Sequence, residues 1–144
     1  MQNLKVEFFK GEDNKKIEQV HNIRKEVFIQ EQKVDPELEM DNQDGISTHF
    51  LLLKEKEYIG TARCRQTKNG IKLERFAIVQ KDRNKGYGKV LLDGILQHFQ
   101  KNKNKLYLHA QDKAVKFYQR NGFEIIGGAF VEADILHYLM RYKS

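Results

Sequence analysis

The stretch from residue 71 to residue 99 limits the fold more than any other part of the chain. It reads as a strand over residues 71–79, a loop, and a helix over residues 86–99 with Val90, Leu91, Ile95 and Phe99 on one face. The loop between them is Arg83-Asn84-Lys85-Gly86-Tyr87-Gly88-Lys89. Its glycines allow close approach of backbone to a ligand. The first turn of the helix offers free N–H groups and a partial positive charge, which together suit a phosphate or pyrophosphate. Arg83, Lys85 and Lys89 add formal charge. A helix terminus contributes about 0.3–1 kcal/mol per exposed charge, so it orients an anion without holding it alone. The loop lacks the Gly-Lys-Ser/Thr of a Walker motif and is not a dinucleotide fingerprint. Taken alone, it reads first as a plain tight turn.

The rest of the chain supplies a sheet for that unit to join. Leu4, Val6 and Phe8 alternate with polar residues as in a half-buried strand. Asp13 or Asn14 can cap a helix in which Ile17, Val20, Ile23, Val27 and Phe28 recur at helical spacing, ending near residues 30–33. Residues 48–54 and 58–66 read as paired strands. Asn69-Gly70 predicts a hairpin turn with both central residues at positive φ. Residues 106–111 form a strand, Asp112 is expected to cap a helix over 113–120, and Asn121-Gly122 to stop it. Residues 123–127 and 136–141 close the chain as strands. The order β-α-β-β-β-α-β-α-β-β implies an α/β (α+β) fold with a mixed sheet flanked by helices.

With 144 residues, 40% hydrophobic and 32% charged, the chain is expected to form a single domain over 1–144. No run approaches the ~18 apolar residues of a membrane span, and the first residues lack a secretory signal's apolar stretch. One cysteine, Cys64, cannot form an internal disulfide, which fits a reducing, cytoplasmic setting. The net charge of +6 favours anionic partners. Its distribution is uneven. Residues 26–44 carry seven acids and one base, Lys33, whereas residues 83–120 carry nine bases and only Asp93 and Asp112 as acids. An anion is therefore expected at the later half and a cation at the earlier one. Two solvated faces would give the same pattern. The run Lys101-Asn102-Lys103-Asn104-Lys105 has no interleaved aromatics and reads as a solvated turn, so no nucleic-acid partner is expected, and no membrane.

A second motif changes the weight of the loop. About thirty residues downstream, on the helix after the next strand, stands Ala114-Val115-Lys116-Phe117-Tyr118-Gln119-Arg120-Asn121-Gly122-Phe123. Together the two segments resemble the GNAT superfamily, the Gcn5-related N-acetyltransferases, whose loop reads Gln/Arg-x-x-Gly-x-Gly/Ala and whose later helix often carries Ala-x-x-Phe/Leu-Tyr-x-x-x-Gly-Phe. The segment from Arg24 to Gln32, then His49, the strand Ala62-Arg63-Cys64-Arg65, Ala110-Gln111, and Glu132 with His137-Tyr138-Leu139-Met140 look like its ElaA/YjcF-like subgroup. That subgroup usually has Gly where Asp134 stands, which bears on the turn at the acceptor side. Much of the superfamily has Asn where Gln111 stands.

The resemblance implies a mostly antiparallel sheet, acetyl-CoA as co-substrate, and direct transfer of its acetyl group to an amine, either of a small molecule or of a peptide or protein. It implies that backbone groups of Phe76, Ala77 and Ile78 bond the pantetheine arm and that amides of Arg83, Asn84, Lys85, Gly86, Tyr87, Gly88 and Lys89 hold the pyrophosphate, with Gln111 nearby. Tyr118 matches the usual general acid. A phenol titrates near ~10 and a thiol near ~8.5, so Tyr118 can donate a hydrogen bond to the leaving thiolate more readily than a whole proton. Glu74 is the sequence's nearest candidate base, with Glu26, Glu31 or a water chain as alternatives. Arg24, Phe28, Gln32, His49, Arg63, Arg65 and His137 are candidates for the acceptor pocket. Arg63 and Arg65 share a strand face and either clamp an anionic group or pair with Glu26 or Glu74. His49 and His137 lack companions at metal spacing, so no metal is expected. Cys64 reads as a small core residue. A non-catalytic acyl-CoA sensor is the alternative function, and a homodimer is left open.

Overall fold

The computed structural model describes residues 3–143; the expected domain limits at residues 1 and 144 fall outside that range. Its frame is an eight-stranded sheet in the order β1-β2-β3-β4-β5-β8-β6, with β7 paired to β8 beside this path. The strands are β1 (Leu4–Lys10), β2 (Thr48–Lys54), β3 (Glu57–Thr67), β4 (Gly70–Ile78), β5 (Leu106–Gln111), β6 (Phe123–Ile125), β7 (Phe130–Glu132) and β8 (Ile135–Tyr142). All pairs are antiparallel except β4 with β5. The helices are α1 (Ile17–Arg24), α2 (Pro36–Glu39), α3 (Tyr87–His98) and α4 (Val115–Arg120).

Alternation decides which face of the sheet each helix covers. In β1, Phe9 turns toward His49 on β2, at a ring separation of 5.3 Å, on the face that α1 covers. Val6 and Phe8 turn the other way, toward α3. Phe8 has the face its alternation predicts, yet stays 59% exposed, because α3 ends at His98 and its ring contacts among the described residues are that ring, 4.4 Å away, and the tilted Phe50 ring at 6.3 Å. The central strand β3 is covered on both faces, and its residues 59–64 are all buried. Covered on both faces, the strand lacks the alternation of a half-buried one, and its buried Arg63 is paired with carboxylates.

Local signals place most boundaries. Asn14 Oδ1 accepts the Lys16 N–H at 2.9 Å and opens the turn that leads into α1. The helix runs past Arg24 as a π-helical segment (Lys25–Glu31), which the periodicity did not foretell. The acidic stretch after this segment contains α2 and a 3₁₀ turn (Asp44–Ile46). Asp35 caps α2, accepting the Glu37 N–H at 2.9 Å, with Pro36 at the first helical position. The hairpin at Asn69-Gly70 forms one residue earlier than expected. Lys68 and Asn69 are its central residues, neither takes positive φ, and only Gly70 does, at +131°. Gly70 is fixed by space as well, since a Cβ there would sit 2.4 Å from the Lys105 carbonyl oxygen. Asp112 makes no cap; it lies in a 3₁₀ turn (Asp112–Ala114) ahead of α4. The strand β7 was not expected, because three residues carry too little pattern.

Candidate active-site cleft

The parallel ladder between β4 and β5 holds for three pairs, Ile71↔Leu106, Lys72↔Tyr107 and Leu73↔Leu108, and then stops. Beyond it β4 keeps its bond to β3 while β5 follows β8, so the two strands part. A β-bulge drives the separation. Thr61 pairs with Ala77 and Arg63 with Glu74, which sets two residues, Arg75 and Phe76, against Ala62 alone. Arg75 takes φ +53°, a conformation a non-glycine residue adopts only when its surroundings hold it there. Those surroundings are visible. Its guanidinium bonds Glu39 Oε2 at 3.1 Å, Asp41 Oδ2 at 3.2 Å and the Glu39 carbonyl at 3.1 Å.

The parted strands open a cleft of about 1310 Å³. That exceeds the usual ~300–1,000 Å³ of a small-ligand pocket, so it has room for a ligand of two parts. Phe76, Ala77 and Ile78 form one wall, and among the described residues their backbone groups on the β5 side have no ladder partner. Gln111 closes the opposite wall, its Nε2 donating to Gln32 Oε1 at 2.9 Å. The π-helical turn delivers Gln32 there: it advances the chain by a residue relative to an α-helix, and the Gln32 N–H bonds the Val27 carbonyl at 3.0 Å. Phe28 lines the same wall.

At one end of the cleft lies the loop before α3. Asn84 (φ +62°) and Gly86 (φ +85°) are left-handed, and Gly86 is the residue from which α3 starts. A Cβ on Gly86 would meet nothing within 4 Å, so glycine is required there by conformation and not by space. Gly88, Lys89, Lys113 and Lys116 line this end. Arg83 was expected to add charge for a phosphate. Instead its guanidinium is paired with Glu31, Nη2 to Oε1 at 2.7 Å, and its Nε donates to the Ile78 carbonyl at 2.8 Å. The pair lowers the Glu31 carboxyl below its ordinary value, mainly through the Arg83 hydrogen bond. Arg83 therefore ties the loop to the end of the first helix, and Glu31 is no free base. Lys89 pairs with Asp93 at 3.0 Å on the surface.

Tyr118 lies midway, buried on α4 with its ring against Phe76, Phe117 and Phe123 at 5.9, 5.1 and 5.7 Å. It lines the cleft, and among the described residues its hydroxyl has no hydrogen-bond partner. Burial pushes its phenol well above the ordinary value. It therefore stays protonated and faces the cleft as a donor, the form in which it can stabilise a thiolate by hydrogen bonding.

Beneath the other end is a buried ionic lattice. Arg24, 1% exposed, bonds Glu39 at 2.7 Å and Asp44 at 2.8 Å. Arg63, 0% exposed, bonds Asp41 and Asp44 at 2.6 and 2.9 Å and also Glu74. Arg65 bonds Glu74 at 2.6 Å. Burial alone would raise these carboxyls, but the arginines outweigh it: Asp41 falls to about 2, and Asp44 and Glu74 fall as well. Three expectations change here. Arg24 and Arg63 do not touch the cleft; they lie under it, fully paired. His49 is buried with Nε2 donating to the Asp44 carbonyl at 3.0 Å, and it also stays out of the cleft. Glu74 reaches the cleft, but Arg63 and Arg65 hold it ionised and remove its value as a base. Of the two readings of Arg63 and Arg65, the ion pair with Glu74 is the one observed. Cys64 is buried in the core, its thiol pushed up by burial.

The mouth above the lattice is edged by the β7–β8 hairpin. Ala133 and Asp134 both take positive φ, +51° and +60°, between the paired Glu132 and Ile135. This is the turn that favours Gly, Asn and Asp, so Asp134 preserves it. Glu132 Oε1 lies 3.2 Å from His109 Nδ1, and the Glu132 carboxyl is lowered, mainly by that hydrogen bond. His137 lines the mouth with its Nδ1 2.7 Å from the Ile135 carbonyl. Sequence reasoning passed over Arg75 and the acids of residues 39–44 as site-builders. The only signal they gave was the acidity of that stretch.

A parted parallel pair over a glycine-started helix, with a buried tyrosine facing the gap, defines an acyl-transferase class of site. Residues 10–144 match the family model described as an acetyltransferase (GNAT) domain. The chain is 37% identical over 123 residues to YyaT of Bacillus subtilis, covering 82% of each chain. It is 29% identical over 120 residues to the N-acetyltransferase YjcF of the same organism, covering 82% of this chain and 86% of that one. An acyl-CoA N-acyltransferase from Pseudomonas aeruginosa superposes with a TM-score of 0.85 at 25% identity, covering 97% of this chain and 99% of that one. Escherichia coli ElaA shares the fold, with a TM-score of 0.84 at 22% identity over 96% and 99% of the two chains. The chain belongs to the GNAT acetyltransferase superfamily. No helix among the described residues is long and apolar enough to cross a membrane.

Proposed function

We propose that the protein is an N-acetyltransferase of the ElaA/YjcF-like subgroup that moves the acetyl group of acetyl-CoA directly to an amine. The observation that carries this reading is the parting of β4 and β5 after Leu73 and Leu108, directly ahead of the loop that starts α3. In this reading the backbone groups of Phe76, Ala77 and Ile78 bind the pantetheine arm, in place of the missing strand, with the Ile78 carbonyl shared with Arg83 Nε. Amides of residues 83–89 take the pyrophosphate, helped by Lys113 and Lys116 in preference to the engaged Arg83. Pre-aimed N–H groups on β4 stabilise the oxygen as the thioester carbonyl becomes tetrahedral. Tyr118 donates its hydrogen bond to the departing thiolate. Gln111 and Gln32 limit the space around the acyl group. Glu74, fixed by two arginines, positions the strand and leaves base catalysis to another group.

The test is thiol release from acetyl-CoA with pooled amines, amino sugars and peptides, run beside Tyr118→Phe. Release that depends on one pool and falls in the variant supports the enzyme. Calorimetric binding of acetyl-CoA with no release from any pool favours a sensor. Absence of binding overturns both.

A further inference from the structure

At the mouth of the cleft a ring nitrogen of His137 and a carboxylate oxygen of Glu132 face each other without a hydrogen bond between them. His137 Nδ1 lies 2.7 Å from the Ile135 carbonyl oxygen. A carbonyl can only accept, so Nδ1 carries the hydrogen and a neutral ring presents its lone pair at Nε2. That Nε2 lies 3.7 Å from Glu132 Oε2, beyond hydrogen-bond reach. Glu132 Oε1 is engaged by His109, but Oε2 makes no hydrogen bond among the described residues. Two lone-pair atoms this close want a group with several N–H donors. An alkylammonium ion is such a group, and it is the form in which an amine acceptor arrives near neutral pH.

The frame holds this geometry still. Phe130 stacks on the His137 ring at 5.9 Å and meets His109 edge-on at 5.0 Å. The antiparallel register sets His137 opposite Gln111, on the cleft wall. The charged and titratable groups around His137 are Glu132 from β7, His109 from β5 and, acting on Glu132 from β4, Lys72. Glu132 is thus the carboxylate left with a free oxygen at a mouth whose other acids are saturated by arginine.

We propose that Glu132 and His137 form the acceptor's ammonium site, and that His137 Nε2 is the base that takes the amine proton. The inference rests on the acetyltransferase reading and supplies the group that Glu74 cannot. One ammonium proton passes to Nε2. The freed nitrogen lone pair attacks the thioester carbonyl carbon, a C–N bond forms, and the C–S bond breaks with its electron pair going to sulfur. The nitrogen's second proton ends on the thiol, and His137 returns its own to water. The acceptor class is a primary amine that is protonated in solution. Glu132 selects it by charge, and a carboxylate analogue lacks the donors that satisfy both atoms.

Two readouts test this, one of them independent of turnover. In ¹⁵N-labelled protein the His137 ring signals are assigned with His137→Asn, which keeps a donor for the Ile135 carbonyl and removes the base. Titration with n-butylamine should shift the Nε2 signal, butyrate should not, and Glu132→Gln should abolish the shift. With an amine that turns over, His137→Asn should lower kcat about 10²-fold or more, keep the KM for acetyl-CoA, and remove the low-pH limb of the rate profile. Glu132→Gln should instead raise the acceptor KM about fivefold. No ring response to butylamine, or full kcat and an intact low-pH limb in His137→Asn, overturns the proposal. A response to butylamine in a protein that neither binds nor cleaves acetyl-CoA would leave the ammonium site standing and remove the acetyltransferase reading.

Discussion

At the Gly86 end of the cleft, the groups facing a ligand are main-chain amides set by φ angles within a few residues. At the Glu74 end, the surface is held by side chains that reach 9 to 36 residues along the chain: Arg65 to Glu74, Arg24 to Glu39 and Asp44, Arg63 to Asp41, and Arg75 to Glu39. The first construction pairs Arg83 with Glu31 and Lys89 with Asp93, and leaves Lys113 and Lys116 at the cleft for an anion. The second saturates its charges internally and, among the described residues, leaves Glu132 Oε2 and His137 Nε2 without a hydrogen bond. The difference teaches that one cleft can bind by two principles. A diphosphate needs amides and loose positive charge, whereas an acceptor needs a rigid wall whose few free atoms are chosen.

The contrast is broken most severely at Arg63. Arg63→Met removes one partner from each of Asp41, Asp44 and Glu74, leaving them to Arg75, Arg24 and Arg65, and should cost about 3 kcal/mol of stability in urea unfolding. An equal loss from Lys85→Met would erase the distinction between the two ends. Tyr118→Phe sits between them. It should lower kcat about 10²-fold while leaving the urea midpoint in place, since the hydroxyl has no hydrogen-bond partner among the described residues. Thermal unfolding against pH sharpens the picture of the lattice. Asp41, Asp44 and Glu74 are depressed in the folded state, so their contribution is complete above the ordinary carboxylate range, near pH ~4. It should be lost as pH falls toward the Asp41 value of about 2, and Arg63→Met should flatten that fall. Gly86→Ala, at φ +85°, should cost about 1–2 kcal/mol and weaken acetyl-CoA binding measured by calorimetry, with no change in the pH response. Smallest of all, Lys89→Ala breaks an exposed i,i+4 pair and should move stability by no more than about 0.5 kcal/mol.

The same contrast explains what could be read in advance. The 71–99 unit, the paired strands 48–66 and the tyrosine helix rest on periodicity, turn residues and short spacings, all local, and they stand where expected within a few residues. The hairpin at Gly70 slipped by one because the Lys105 carbonyl, thirty-five residues away, fixes the glycine. Arg24, Arg63 and His49 were candidates for the acceptor pocket, and Glu74 for the base, from the resemblance and from their places along the chain. Their burial depends on the acidic 36–47 segment folding back over β3 and β4, and no local pattern announces that.

By itself, the sequence determined the order of the elements, the glycine-started helix, the buried face of each amphipathic segment and the resemblance to acetyltransferases. These are properties of neighbours along the chain, whose energies are set before any distant contact forms. Only the tertiary structure decided which charges are spent inside and which remain for a ligand. A carboxylate becomes a base, a strut or an ammonium site according to the donors that surround it in space. Glu74 and Glu132 are the same residue type, separated in role by two arginines.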